Sequence, residues 1–186
     1  SVIWWFMLCC QLLESFILWK SYGIFELRAL LKIDIFATGN RLPSWVSEGV
    51  EEYTRRLPKN INLNWNHFRL QGKSGSKNAV IAREKQGEKF LAAIPAGSKV
   101  IALDERGDAW SSKKLANTLS NWMFDSEYIC ILIGGPDGLS PKCLERADQI
   151  WSLAPITLPH FLVRIILVEQ LYRACSINLG HPYHRE

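Results

Sequence analysis

The pattern of apolar and polar positions from residue 31 onwards predicts strands and helices in regular succession. Residues 32–38 are rich in β-branched and aromatic side chains, and residues 61–70 alternate apolar with polar, so both segments are predicted to be strands. Further strands are predicted at residues 99–104, 128–135 and 149–154. Helices are predicted at residues 43–57, 79–93, 111–124 and 161–177, with a short one starting at Pro141. This alternation favours an α/β fold with a mostly parallel sheet and helices on both faces.

A sheet of this kind also predicts where a ligand binds. In open parallel sheets, ligands occupy the space outside the carboxyl ends of the strands. Three predicted strand ends are therefore candidates: Leu103-Asp104, Gly134-Gly135 and Leu153-Ala154.

The segment "ILIGGPDGLS", residues 131–140, runs from an apolar strand into a cluster of glycines. Glycines let a backbone turn sharply and approach a ligand closely. The segment lacks the G-x-G-x-x-G order of dinucleotide-binding sites, and it follows the fourth predicted strand instead of the first. The "GKS" at residues 72–74 is not a P-loop, because His67 stands where that motif requires glycine. A nucleotide phosphate is therefore not the expected ligand. Lys73 and Lys77 remain either solvated or in contact with a phosphate.

The loop before the last helix has a composition suited to binding an adenine. Residues 153–158 carry few charges, and Pro155 and Pro159 stiffen the loop by fixing φ. Its free backbone N–H and C=O groups can pair with the edge of a base, while leucine and isoleucine side chains cover the ring. In the helix that follows, we expect Arg164 and Glu169 to form ion pairs within the helix or at a subunit interface.

Composition narrows the class of protein further. The 186-residue chain has a net charge of +4, which permits an RNA partner without requiring one. Its five cysteines are odd in number and have neither a C-x-x-C pair nor zinc-site spacing, so we expect reduced thiols, a cytoplasmic location and no metal.

Residues 1–30 are much more apolar than the rest of the chain. Nothing basic precedes Lys20, as a signal peptide would require, and Gln11, Glu14 and Ser15 interrupt a possible membrane span. We expect a leader that is non-native, disordered or helical, that lies outside the domain of residues 31–186, and that gives no stable membrane partner. A membrane-associating helix is the alternative.

Four motifs together resemble the SPOUT-class methyltransferases, and within them the ribosomal RNA large subunit methyltransferase H family. They are "LIGGPDGLS", "ITLPH", "VEQLYRA" and the ending "HPYHRE", and the resemblance runs from about Leu31 to Glu186. It implies a single domain with a C-terminal trefoil knot, a homodimer, and S-adenosyl-L-methionine as methyl donor. It also implies transfer of the methyl group to N3 of a pseudouridine in the 23S rRNA of assembled ribosomes.

The same resemblance implies which residues contact the cofactor. They come from all three of the predicted strand ends and from the proline-containing loop, and the glycines would leave room for the adenosyl and methionyl groups. These residues are Leu103, Gly134, Leu153, Ala154, Pro155, Ile156, Thr157 and Leu158.

The chemistry of the acceptor indicates further residues. N3 of a pseudouridine carries a proton and becomes a good nucleophile only when that proton leaves, so a base or a nearby cation is needed. Arg173 is the candidate cation or phosphate contact, and Tyr183, His184 and Arg185 are candidates for positioning the base. His160 and His181 are the other titratable groups. The alternatives left open are a non-catalytic RNA- or ribosome-binding module and a tRNA ribose 2′-O-methyltransferase.

Overall fold

Five parallel strands form the centre of this computed structural model, which describes residues 30–39, 42–69, 79–125 and 128–183. The strands are β1 (Leu31–Thr38), β2 (Ile61–Phe68), β3 (Lys99–Ala109), β4 (Tyr128–Ile133) and β5 (Gln149–Ser152). The helices are α1 (Ser44–Thr54), α2 (Ala79–Ala93), α3 (Ser112–Phe124), α4 (Pro141–Arg146) and α5 (His160–Asn178). None of these helices is both long and apolar enough to cross a membrane. The expectations for residues 1–29 lie outside the described residues.

The order of the strands brings the three predicted ligand-binding ends together. The sheet runs β2-β1-β4-β3-β5, and every pairing in it is parallel. The ends of β3, β4 and β5 are therefore at the same edge of the sheet, because parallel strands all end on one side. The predicted parallel α/β sheet is confirmed.

Helices cover both faces of the sheet, as the sequence predicts. Successive residues of β4 point to opposite faces: Ile131 is in one buried cluster and Leu132 is in the other. Trp122 of α3 and Leu167 of α5 belong to the first cluster, while Phe90 of α2 belongs to the second. Helix α1 packs on α5 through Val46, Val50 and Val168. A strand buried on both faces reads as a continuous apolar run, which is what "YICILI" is.

Strand β3 is longer than the sequence predicts, and β5 is shorter. After a register shift between Leu103 and Asp108, β3 pairs with β5 again, so it extends to Ala109 instead of ending at residue 104. Gly107 makes this close pairing possible, since a Cβ there would lie 2.6 Å from the carbonyl oxygen of Ile150. Strand β5 ends at Ser152, so the next residues belong to the loop before α5.

Candidate functional site

A cavity of about 750 Å³ lies at the carboxyl ends of β4 and β5, beside the register shift in the middle of β3. Three segments form its wall: residues 103–106, residues 133–138, and residues 151–160 without residue 155, with Val163 of α5 completing it. Seven of the eight residues implied as cofactor contacts line this cavity: Leu103, Gly134, Leu153, Ala154, Ile156, Thr157 and Leu158. The eighth, Pro155, is exposed and is not part of the wall. The strand ends that the sequence indicated thus surround one space.

The turn after β4 requires glycine at two of its positions, 134 and 138. The N–H of Gly138 donates a hydrogen bond of 2.9 Å to the carbonyl oxygen of Gly135, and Gly138 has a φ of +79°. A Cβ on Gly134 would lie 2.5 Å from the carbonyl carbon of Gly138 and 2.8 Å from the nitrogen of Leu139. Gly134 lines the cavity, but its missing side chain makes room for the turn itself. The turn alone therefore requires glycine at this position, and the expectation that Gly134 also leaves room for a ligand stays a prediction.

The loop between β5 and α5 leaves main-chain groups available to a ligand. Within the described part of the chain, no backbone–backbone hydrogen bond uses the N–H of Ala154, Ile156, Thr157 or Leu158. Side chains hold the loop in place instead: the hydroxyl of Ser152 donates to the carbonyl of Ala154 at 2.9 Å, and the hydroxyl of Thr157 donates to Glu105 at 2.9 Å. The loop is thus fixed while its backbone donors remain open.

Acidic side chains give the cavity wall a negative character. Asp104, Glu105 and Asp137 all line it, together with one cation, Arg106. The Nε atom of Arg106 lies 2.8 Å from Asp104, and this hydrogen bond lowers the pKa of the Asp104 carboxyl. The sequence interpretation missed Glu105, Arg106 and Asp137 as site residues. Their position directly after two apolar strands was the available signal.

One buried cation lies beside the cavity. Arg164 of α5 is 1% exposed, and its guanidinium donates to the carbonyl of Thr38 and, at 3.2 Å, to Nδ1 of His67. The expected ion pair of Arg164 within the helix is wrong, because no described carboxylate lies within salt-bridge distance of it, whereas Glu169 does form one, with Arg173. An ion pair of Arg164 at a subunit interface stays a prediction. His160 lies one helical turn earlier and lines the cavity. Burial lowers the pKa of His160, and the charge of Arg164 lowers it further.

Two predicted catalytic residues of the C-terminal region are described: Arg173 on α5, and Tyr183, which follows the helix and contacts it. Glu169 accepts hydrogen bonds from Arg173 at 2.6 and 2.9 Å and from the hydroxyl of Tyr183 at 3.2 Å. The ring of Tyr183 lies 4.7 Å from that of Tyr172, centroid to centroid. We call Glu169, Tyr172, Arg173 and Tyr183 the tail cluster. His184 and Arg185 lie outside the described residues.

Within one chain, Arg173 of the tail cluster lies far along α5 from His160 of the cavity wall. Arg173 follows His160 by 13 residues of one helix, which corresponds to about 20 Å along its axis. Burial and hydrogen bonds to Tyr53 and Glu169 raise the pKa of Tyr183 to about 12, so its hydroxyl stays protonated and holds the tail against α5. In a single chain, therefore, the structure does not bring Arg173 and Tyr183 to the cavity wall.

These features define a parallel α/β domain with a cavity beside β3, β4 and β5. A family model described as "Predicted SPOUT methyltransferase" matches residues 31–184, and the chain therefore belongs to the SPOUT methyltransferase family. It is a methyltransferase by that membership. Among solved structures, the crystal structure of a probable methyltransferase from Bordetella pertussis Tohama I is similar at a TM-score of 0.48 and 14% identity, covering 78% of this chain and 96% of that chain.

Proposed function

We propose that this methyltransferase uses S-adenosyl-L-methionine to methylate N3 of a pseudouridine in the 23S rRNA of assembled ribosomes. The family match supports methyl transfer, and the motifs shared with the ribosomal RNA large subunit methyltransferase H family support this acceptor. The observation that carries the proposal is the single cavity formed by the strand ends and the loop that those motifs occupy.

The residues of the cavity fit S-adenosyl-L-methionine. The cavity volume of about 750 Å³ lies in the range of small-molecule sites. The open N–H groups of Ala154, Ile156 and Leu158 suit the edge of an adenine, and Asp104 and Glu105 suit the positive charges of a sulfonium and an amino group. When bound there, the cofactor supplies a methyl group on a positively charged sulfur. The chain's own contribution is to orient the acceptor and to exclude water.

A homodimer is part of the proposal, because within one chain Arg173 lies about 20 Å along α5 from His160 of the cavity wall. Large apolar side chains are exposed around the cavity mouth and the start of α5: Trp45 is 50% exposed, Ile156 66% and Leu162 38%. A second copy placed on this surface would cover them and would bring its own tail cluster towards the cavity. We propose that residues 31–186 form this one domain, with the trefoil knot that the resemblance implies.

Basic residues beside the cavity suit an RNA partner. The guanidinium of Arg83 donates to the carbonyl of Asp137 at 3.4 Å, and Lys85 is exposed on the same helix, α2. Lys73 and Lys77 lie outside the described residues. A net charge of +4 per chain is doubled in a dimer. The target base has to lie in a loop or be flipped out of its stack to enter the cavity. The ribosomal substrate places the enzyme in the cytoplasm.

Arg173 has a defined role in this proposal. The N3 atom becomes negatively charged as its proton leaves, and a fixed guanidinium lowers the energy of that anion. Glu169 holds the guanidinium of Arg173 in one orientation by accepting its hydrogen bonds. The Cζ atom of Arg173 lies 4.8 Å from the centroid of the Tyr183 ring. The tail cluster thus presents an ordered cation and an aromatic ring.

The test is to incubate the purified protein with ribosomes and methyl-labelled S-adenosyl-L-methionine, digest the RNA to nucleosides and locate the label. The expected product is N3-methylpseudouridine from 23S rRNA. Label in a 2′-O-methylated nucleoside of tRNA would overturn the proposed acceptor. A protein that binds ribosomes but gives no calorimetric signal with S-adenosyl-L-methionine would be a non-catalytic binding module.

A further inference from the structure

Arg164 is a buried cation with neutral hydrogen-bond partners. Its guanidinium contacts a carbonyl oxygen, that of Thr38, and the unprotonated Nδ1 of His67, and its Cζ lies 5.7 Å from the centroid of the Trp65 ring. Because no described carboxylate pairs with it, its charge acts on the groups around it. Burial and that charge lower the pKa of His67, as they do for His160.

His160 is the one imidazole, among the described residues, that lines the cavity. It is half-buried, and its ring lies 4.0 Å from that of Phe161, centroid to centroid, which limits its movement. Arg164 follows it at i+4 on α5, so both side chains are on the same face of the helix. The structure therefore places an imidazole at the wall with a buried positive charge behind it.

The other charged groups around His160 are largely engaged elsewhere. In the cavity, Asp104 is bound by Arg106, and Glu105 accepts from Thr157. Asp137 of the turn also lines the cavity, and His67 accepts a hydrogen bond from Arg164. Helix α1, which packs on α5, carries exposed Glu48 and Glu51 and the Glu52 that pairs with Arg55 and Arg56. Arg164 is therefore the charged group with the strongest influence on His160.

We propose that His160 accepts the proton from the target nitrogen and that Arg164 is its positioning residue. This inference rests on the proposed function. In the step, the N3–H bond breaks, its electron pair stays on N3, and the proton goes to the free ring nitrogen of His160, which becomes an imidazolium. The electron pair on N3 then forms the bond to the transferred methyl group, whose bond to sulfur breaks with its pair left on sulfur. The imidazolium afterwards loses the proton to solvent. A base must be unprotonated at neutral pH to act in this way, and Arg164 favours that state.

The first experiment measures His160 without any turnover. The full chain is labelled at histidine, its imidazole resonances are assigned with His67→Asn and His160→Gln variants, and each is titrated by NMR. In the unaltered protein, we expect His160 to titrate below the ordinary value of 6.5. Arg164→Met removes the charge but keeps apolar bulk, and should move the His160 midpoint upwards. Arg164→Lys keeps the charge and should leave the midpoint low. A midpoint that is the same in all three proteins would overturn the role of Arg164.

The second experiment measures single-turnover methyl transfer to ribosomes across pH, with cofactor affinity measured in parallel by calorimetry. His160→Gln keeps a hydrogen-bonding side chain but cannot accept the proton, so transfer should slow by roughly 100-fold. Its affinity for S-adenosyl-L-methionine should change by less than about twofold, whereas a merely structural role would weaken binding and transfer together. In Arg164→Met, the acidic limb of the rate profile should move to higher pH with the NMR midpoint.

The two ideas fail in different ways. If the unaltered protein methylates ribosomes and His160→Gln does so at a rate within about threefold of it, the inference is overturned and the proposed function stands. If the unaltered protein methylates no ribosomal RNA, the proposed function is overturned and the inference with it. Circular dichroism and thermal melting of each variant exclude misfolding as the cause of a slow rate.

Discussion

The hydroxyl of Thr157 donates a hydrogen bond of 2.9 Å to a carboxylate oxygen of Glu105, joining the loop before α5 to the extension of β3 across the cavity wall. The two residues are 52 positions apart in the chain. They meet because β3 continues beyond its register shift and pairs with β5 a second time. This contact fixes the loop whose backbone groups we assign to the adenine.

Removing that hydrogen bond should weaken cofactor binding. We expect Thr157→Val, which keeps the shape of the side chain, to raise the dissociation constant for S-adenosyl-L-methionine by about 2- to 10-fold, since an exposed hydrogen bond contributes about 0.5–1.5 kcal/mol. Thr157→Ser keeps the hydroxyl and serves as the control. Calorimetry measures both. Equal affinity in all three proteins would show that the contact does not order the loop.

Adding a methyl group at Gly134 should open the turn after β4. A Cβ at this position would lie 2.5 Å from the carbonyl carbon of Gly138, so we expect Gly134→Ala to lower the free energy of unfolding by about 1–3 kcal/mol. It should also weaken cofactor binding, because the turn forms part of the cavity wall. Urea denaturation and calorimetry measure the two effects.

The control for this substitution is Gly138→Ala, at a site with no atom within 4 Å of the added Cβ but with a φ of +79°. Gly138→Ala should lower the free energy of unfolding through the backbone conformation alone, by about 1–2 kcal/mol. A Gly134→Ala protein as stable as the unaltered chain would mean that the turn has room the structure does not show.

The C-terminal residues should serve methyl transfer and not cofactor binding. Deleting residues 181–186 removes Tyr183 from Glu169 and leaves the cavity wall intact. We expect loss of transfer to ribosomes by at least about 100-fold, with an affinity for S-adenosyl-L-methionine within about twofold of the full chain. Tyr183→Phe removes the hydroxyl but keeps the ring, and should have a smaller effect. Equal loss of binding and transfer on deletion would contradict this separation.

Stability should depend on pH through His67 and His160. The pKa of each is below its ordinary value of 6.5 in the folded chain, chiefly because of burial and then because of Arg164. The unfolded chain therefore binds protons more strongly, so stability is complete above pH 6.5 and is lost as the pH falls from there through the folded pKa. Urea midpoints measured between about pH 7.5 and 5.5 should fall with acidification. A His67→Asn, His160→Gln double variant should lose much of that slope, and an unchanged slope would show that other groups cause it.

Much of the fold could be predicted because its signals are local. The run "YICILI" is apolar throughout, and only a strand covered on both faces keeps such a run out of water. The second half of β3 could not be predicted in this way. The residues "DERGDA" at its end are mostly polar, and they form a strand because β5 happens to lie beside them with hydrogen-bonding groups to pair.

The candidate site also has a part that could be predicted from local sequence and a part that could not. The segments that form the cavity were predictable, since parallel strands end at one edge and the glycine turn and proline loop follow those ends. The reason for glycine at position 134 could not be predicted, because the atom that a Cβ there would meet belongs to Gly138, in the turn itself. The partner of Arg164 could not be predicted either: the sequence favoured an ion pair, whereas the fold turns Arg164 towards Thr38 and His67 on two neighbouring strands.

The sequence by itself determined the order of strands and helices, the parallel sheet and the edge at which the cavity lies, because apolar periodicity and glycine and proline positions act over a few residues. Only the tertiary structure decided that Arg164 is buried with no carboxylate partner among the described residues, that His160 lies one turn from it at the cavity, and that Arg173 is about 20 Å further along the helix. Those relations join residues that are distant in the chain, and they depend on how α5 packs across the sheet. Local pattern contains no information about which side chains such packing brings together.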